Sequence, residues 1–414
     1  MNRTPTTPPP APAIPAPAPA LFPAARGCPF APPQETTRVQ GEDAVPRVSI
    51  WNGTEPWLFT RYDDVRTVLS DPRFSADKSR PGYPLSSAAA AAEAAVTPTL
   101  LVMDNPAHDT YRRLVQREFT VRRAEEWRPT ARAAVDDALD ALTDGEQPAD
   151  LVAHVALPVA LSMVCVLLGV PFADRDFFRS RTHTANSMHV TTAQATAARA
   201  ELQEYLQSLV RQREKDPGDD FISRLAVRHL RTGAMSEDLI AAMALLLLTA
   251  GHDTTANMIA LGTLALLRHP DSYAALHRGD DPALAARTTE ELLRYLTIVQ
   301  RGIRRIAVED VTVGRQLVRA GEGVIAAIDV ANRDPGRFRA TDTLDTAQNP
   351  RDHLAFGYGP HQCLGQSMAR VELQEAYQGI ARRLPGLRPA VPLQDIRFKS
   401  DMAVYGVHEL PVRW

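Results

Sequence analysis

The sequence predicts one large, mainly α-helical domain with small β-sheets. Three observations predict it. From Pro106 to Arg268 apolar residues recur with helical spacing, in 108–119, 125–143, 153–168, 193–214 and 236–268. Strand signals are confined to the two ends of that block. No repeat or hinge-like linker divides the chain, and 414 residues suffice to bury a large core.

In chain order, MNRTPTTPPPAPAIPAPAPALFPAARG alternates proline with alanine, and proline blocks both helix and sheet. Residues 1–33 are therefore expected as a polyproline-like or disordered arm ahead of a domain at 34–414, with regular structure from about Val48. The arm has no continuous apolar stretch for a signal peptide or membrane anchor. VSIWNGTEPWLFT (48–60) is a hairpin signal around Asn52-Gly53. Asp63 is expected to cap a short helix over DVRTVLSD. Residues 80–103 form a long irregular segment, and its patch SSAAAAAEAAV reads either as a solvent-facing helical turn or as a mobile lid. The longest apolar run, VALPVALSMVCVLLGVPF (155–172), is broken by Pro158 and stops at Gly169-Val170-Pro171, so it reads as a buried core helix. A helix at 283–297 follows, then the β- and turn-rich AVEDVTVGRQL and GEGVIAAIDVANRDP. The last long helix starts beside Cys363 and runs to about Arg383, and FKSDMAVYGVHELPVRW closes the chain as a short β region.

Composition excludes several functions. Forty-six basic against 49 acidic residues give a net charge of −3, which argues for neither nucleic acid nor an anionic membrane as partner. Positive charge is almost all arginine, with lysine only at Lys78, Lys215 and Lys399; with abundant alanine this hints at a GC-rich bacterial genome. Cys28, Cys165 and Cys363 are too few, odd in number and too scattered for a disulfide framework, a zinc site or an iron–sulfur site. A reducing, cytoplasmic setting is expected.

Two segments carry chemistry. SEDLIAAMALLLLTAGHDTTANMIALGTLALLRHPD (236–271) opens with Ser236 as N-cap and acids in the first turn. Apolar residues surround it at 243–248, so it must be buried. Its middle, Gly251-His252-Asp253-Thr254-Thr255, conflicts with that. Glycine costs about 1 kcal/mol against alanine inside a helix, and a buried carboxylate needs a partner or water. Ala250 and Gly251 lie one turn before Thr254 on the same face, leaving little side-chain volume beside a hydroxyl and an acid. Either something flat or small docks there, or Thr254 back-bonds to a carbonyl at a kink. His252 points elsewhere and reads as structural.

The second segment is HLAFGYGPHQCLGQSMAR (353–370). As a nucleotide-binding turn it fails, because Gln362 sits where the third glycine belongs and too little chain follows for a dinucleotide fold. As a ligand loop it makes sense. Cys363 lies at a helix start, where free N–H groups favour a thiolate. Gly357 and Gly359 permit a tight bend, and Gly365 lets the helix approach a flat partner. A lone thiolate suits axial ligation of haem iron. A Cys–His nucleophile with His361 and an inert buried cysteine are the competing readings.

These residues resemble the cytochrome P450 family of haem-thiolate monooxygenases. The family's pattern Phe-Gly-x-Gly-x-His-x-Cys-x-Gly is met by Phe356, Gly357, Gly359, His361, Cys363 and Gly365. Its Ala/Gly-Gly-x-Asp/Glu-Thr signature matches Ala250, Gly251, Asp253 and Thr254, and its Glu-x-x-Arg pair matches Glu291 and Arg294. Asp-x-Pro-x-His-x-x-x-Arg matches Asp104, Pro106, His108 and Arg112. The resemblance spans about residues 28–414 and is nearest to soluble bacterial members. It implies a fold with the long central helix over haem b, Cys363 as axial iron ligand with Phe356 beside it, and O2 as co-substrate. It implies an acid–alcohol pair in Asp253 and Thr254 that handles protons during oxygen activation. His108, Arg112, Arg305 and His361 would hold the haem propionates, and Glu291–Arg294 would lock the core. One departure stands out. Where many members have Asp-Arg-Phe-Asp, this chain has Asp342-Thr343-Leu344-Asp345, and Gln348 replaces another common arginine, so a full Glu–Arg–Arg lock is not expected unless another arginine substitutes.

The resemblance further implies a monomer without nucleic-acid or membrane partners. Its electrons would come from a ferredoxin and ferredoxin reductase, with Arg113, Arg117 and Arg370 as docking candidates. Substrate contacts are expected from Leu85–Val102, 184–195, Met243–Leu247, Ile298–Arg301 and Met402–Val404, with Met243, Leu247, Ile298, Val299, Met402 and Val404 foremost. Their apolar character implies an apolar organic substrate of moderate or large size, and the resemblance implies that it is a natural-product intermediate, such as a polyketide or terpenoid, that is hydroxylated or epoxidised. Oxidative coupling, desaturation, peroxide use, and a haem-binding sensor without turnover are the alternatives.

Overall fold

Ser236 Oγ accepts the Leu239 N–H at 3.2 Å and starts a helix that runs unbroken from Glu237 to Leu267. The computed structural model describes residues 19–42, 44–87, 99–186, 191–339 and 341–414. By length and composition the central helix could cross a membrane, but its sides are taken by the helices Leu157–Leu168, Thr192–Lys215 and Gln366–Arg383. Its two halves serve different cores. Ile240–Leu248 packs with Leu161–Val170, Leu202–Val210 and Phe221–Leu225, whereas Ala256–Leu266 packs with Leu292–Leu296, Leu373–Leu387 and the chain's end. The polar quintet 251–255 falls at the seam, and this is why a helix apolar on all sides tolerates it.

The architecture is mainly α with small sheets. Trp57–Phe59 pairs in parallel with Gly323–Ala326, which pairs antiparallel with Ile303–Ala307, itself antiparallel to Phe74–Ser75. Arg388–Pro389, Pro411–Arg413 and Ala149–Asp150 form a second sheet, which fastens the C-terminus to the helical body. Val311–Val313 and Gln316–Val318 form a hairpin. The 155–172 run is the buried helix Leu157–Leu168, closed by Gly169 in the left-handed region at φ 79°.

Two expectations need correction, and a third falls partly outside the described residues. Packing begins before residue 34, and well before Val48. Ala20–Leu21 pairs with Val48–Ser49, Phe22 and Phe30 are buried, and Arg26 lies 3.6 Å from the buried carboxylate of Asp329. A short ladder, two buried phenylalanines and one arginine thus seat residues 20–30 against the domain. The helix at Tyr62–Ser70 is started not by Asp63 but from across the fold, where Asp334 Oδ2 accepts the Tyr62 N–H at 2.8 Å. The lid segment 80–103 lies outside the described residues over 88–98, as does 187–190 of the segment 184–195.

Candidate active site

The cysteine loop is a hydrogen-bonded turn. Gly357 N–H donates to Leu354 C=O at 2.8 Å, and Cys363 N–H to Phe356 C=O at 2.8 Å. Gly357 and Gly359 have φ of 70° and 72°, which a side chain disfavours. Gly359 is doubly required, because a Cβ there would stand 2.6 Å from Leu69 O. A Cβ at Gly365 would meet nothing within 4 Å, so that glycine opens on free space.

Cys363 lies far inside the protein, yet its side chain has accessible surface and therefore faces an internal space. Burial pushes its thiol pKa up, against the opposing pull of the Gly365 and Gln366 N–H groups and of Arg112 and Arg370. The helix start favours a thiolate as expected, but burial outweighs it. A positive partner on the sulfur is what would hold it ionised.

Four cationic or imidazole side chains gather beside this loop. The His108 and His361 rings stand 4.2 Å apart, and Arg112 Nη2 donates to Gln362 C=O at 2.7 Å. His108 Nε2 is buried without a partner, an orphan that suits an incoming anion. Burial, then Arg305 and His108, hold the His361 pKa down to about 4. Arg305 is buried and donates to the carbonyl of Arg304. A lone sulfur, an unpartnered donor, the buried Arg305 and the half-buried Arg112 fit a flat group with one metal centre and two carboxylates. Among the described residues no cluster of three or more His, Cys, Asp or Glu side chains could hold a metal ion instead.

Glu291 and Arg294, both fully buried, form a two-pronged pair at 2.7 and 2.8 Å. Among the described residues no third arginine joins the pair, in keeping with the missing meander arginine, and backbone groups take its place. Asp345 N–H donates to Glu291 Oε1 at 2.9 Å, while Arg294 donates to the carbonyls of Asn332 at 3.1 Å and Thr343 at 3.3 Å. Arg333, the nearest spare arginine, is spent on the carbonyls of Phe30 and Tyr295. Gln348 ties the same turn by donating to Asp345 at 3.0 Å.

On the central helix, Thr254 Oγ1 donates to Ala250 C=O at 2.6 Å and Asn257 Nδ2 to Asp253 C=O at 2.8 Å. Ala250 is exposed in the middle of a helix whose neighbours there are buried or half-buried, so this face does open on a space. The back-bond and the open face, posed as alternatives, coexist. Gly251 does not share that face: its Cβ would stand 3.2 Å from Val164, so it serves close helix packing. His252 is buried, and burial lowers its pKa.

The apolar candidates divide into two groups. Val299 bridges Val404, Tyr405 N–H reaches Ile298 C=O, and Gln300 Nε2 donates to Met402 C=O at 2.6 Å, so Ile298, Val299, Met402 and Val404 share one corner. Met243 and Leu247 pack one turn apart with the other core.

Arg370 is not available for docking a partner, because it is engaged by Glu290 at 2.6 and 3.1 Å and lies 4.6 Å over the Phe356 ring. His353 Nε2 stands 3.2 Å from Glu290, at ion-pair distance but outside hydrogen-bond geometry. Sequence reading passed over Glu290 as a mere neighbour of Glu291; its only signal was a second acid beside a buried one. Burial works to raise the Glu290 pKa, but His353 and Arg370 prevail and hold it at about 2. A depressed carboxyl stabilises the fold above its ordinary value of 4.5, and this contribution is lost as pH falls through about 2. Glu290→Gln should therefore cost stability at neutral pH and flatten the acid limb between those values. Parallel acid limbs by circular dichroism would reject the assignment.

A family model described as Cytochrome P450 matches residues 181–380. Cytochrome P450-SU2 of Streptomyces griseolus is 48% identical over 394 residues, covering 95% of this chain and 96% of the relative. The 20-oxo-5-O-mycaminosyltylactone 23-monooxygenase of Streptomyces fradiae is 40% identical, covering 95% and 92%. The crystal structure of GfsF superimposes with a TM-score of 0.92 at 43% identity, covering 96% of this chain and 100% of that one.

Proposed function

We propose, from the premise that this chain belongs to the cytochrome P450 family, that it inserts one oxygen atom into an apolar natural-product intermediate with Cys363 as the haem ligand. The protein is an oxygen-dependent oxidoreductase whose cofactor is a Cys-thiolate-ligated haem and whose co-substrate is O2. The observation that carries the assignment is the single inward-facing sulfur at a helix start, with an orphan His108 nitrogen and two arginines beside it. In balance, R–H, O2, two electrons and two protons give R–OH and water. Bound haem supplies the oxygen activation and the transfer of the oxygen atom.

The side chains supply position and protons. Gly365 and Gln366 N–H groups steady the sulfur, and Arg112, Arg305, His108 and His361 take the carboxylates. Because the Thr254 proton is engaged by Ala250 C=O, its oxygen is free to accept a hydrogen bond from the open face. Asp253, one residue away and partly exposed, relays protons through water to that face. Thr254→Ala should preserve substrate binding and the haem spectrum but lower product per electron pair by ~10-fold or more. Unchanged coupling would remove Thr254 from the mechanism.

Ile298, Val299, Met402 and Val404 offer an apolar wall with few polar groups, as a large polyketide or terpenoid skeleton requires. The Streptomyces fradiae relative, by its name, oxidises an O-mycaminosyltylactone. Low- to high-spin shifts across polyketide and terpenoid libraries test the substrate class. Electrons from an acidic ferredoxin would enter near Arg113 and Arg117, exposed on and just after the Ala107–Val115 helix whose Arg112 touches the cysteine loop.

A further inference from the structure

We propose that Lys399 is a positioning residue for Asp253: the ammonium, carried on the C-terminal turn, fixes where the relay carboxylate points. Lys399 Nζ lies 3.8 Å from Asp253 Oδ1, with side chains 13% and 24% exposed. The distance is too long for a directed hydrogen bond but well within ion-pair range, and partial burial limits screening by salt. No hydrogen-bond donor to the Asp253 carboxylate is found among the described residues, and Asn257 takes the Asp253 backbone carbonyl rather than its side chain.

The turn does not need the lysine side chain in order to fold. Gln300 Nε2 donates to the carbonyls of Lys399 at 2.9 Å, Ser400 at 3.3 Å and Met402 at 2.6 Å, and Lys399 N–H reaches Gly406 C=O at 2.9 Å. Gly406 in turn lets Asn257 come close, since a Cβ there would stand 2.0 Å from Asn257 Oδ1. Asp253 and Asn257 are one helical turn apart, so the turn meets one face of the central helix at two adjacent points. Its backbone approaches closely at one, and its charge is presented at the other. Lys399 is one of only three lysines, Lys78, Lys215 and Lys399, in a chain that otherwise uses arginine. A compact point charge with no fork holds a carboxylate in place without locking both its oxygens. The same turn carries Met402 and Val404, so the placement of the relay acid is built into the substrate wall.

The inference rests on the relay reading of Asp253, and two measurements separate the two. The first needs no turnover. Acylation of the haem-loaded enzyme with an amine-reactive ester, read by peptide mass spectrometry, reports Lys78, Lys215 and Lys399 side by side. Asp253→Asn should raise Lys399 labelling several-fold and leave Lys78 and Lys215 unchanged; equal Lys399 labelling would overturn the pairing. The second compares Lys399→Met with Lys399→Arg. The methionine variant should keep the haem spectrum and substrate affinity, yet lower coupling about 5-fold and enlarge the solvent deuterium isotope effect on turnover. The arginine variant, which keeps the charge, should return both to within about 2-fold of the parent. A methionine variant with parental coupling and isotope effect rejects Lys399 alone if Asp253→Asn is impaired. If Asp253→Asn is itself fully coupled, the relay reading falls and takes this proposal with it.

Discussion

Replacing Cys363 by serine should abolish the red-shifted Soret band of the reduced carbon monoxide complex and lower product formation by more than the ~100-fold typical of losing a supporting contact around a metal. The substitution is nearly isosteric, and its surroundings explain the size of the effect. Burial already pushes the Cys363 thiol pKa up, and the Gly365 and Gln366 N–H groups counter this only in part. A serine hydroxyl starts from a far higher pKa and is a poor soft donor, so the same donors cannot hold it ionised on iron. The backbone of the loop is set by Cys363 N–H on Phe356 C=O and by two left-handed glycines, none of which uses the sulfur. The variant should therefore fold and still take up haem, with weaker or altered axial ligation. A retained red-shifted band would refute Cys363 as the ligand.

What the sequence made legible is what is written at short range. Cys363 with its glycines, Glu291 with Arg294, and Thr254 with Ala250 all sit within one or two turns of chain, so spacing alone brings them together. What it hid depends on topology. Asp253 meets Lys399 across 146 residues and Glu290 meets Arg370 across 80, and no periodicity encodes either encounter. The glycines show both sides. Gly357 and Gly359 bend as the pattern predicts and Gly365 faces open space, whereas Gly251 makes room for Val164 and Gly359 also clears the end of the Tyr62–Ser70 helix, packing needs that no spacing encodes. Proline-rich composition hides the packing of residues 20–30, where Phe22 and Phe30 are buried and Arg26 lies beside Asp329.

The Glu291–Arg294 lock carries the other large expected effect. Glu291→Gln removes one charge from a pair with no solvent access and leaves the Arg294 guanidinium facing a neutral amide. Breaking a buried pair in this way costs about 3–5 kcal/mol, a large share of the stability of an ordinary domain. The urea midpoint should fall steeply at unchanged m-value, and haem-loaded protein should scarcely accumulate. Glu291→Met with Arg294→Met should recover part of the loss, since no charge is then stranded. Thr343 separates this structure from the three-residue lock expected of the family. Its contribution is a backbone carbonyl, at 3.3 Å from Arg294, and its side chain is exposed. Thr343→Ala should accordingly shift stability by no more than ~0.5 kcal/mol. Thr343→Arg should gain nothing from Glu291, whose Oε1 already accepts from Arg294 and from Asp345 N–H. A marked stabilisation by Thr343→Arg would mean that the backbone groups leave the pair under-satisfied. A parental midpoint for Glu291→Gln would mean that the lock does not hold the core.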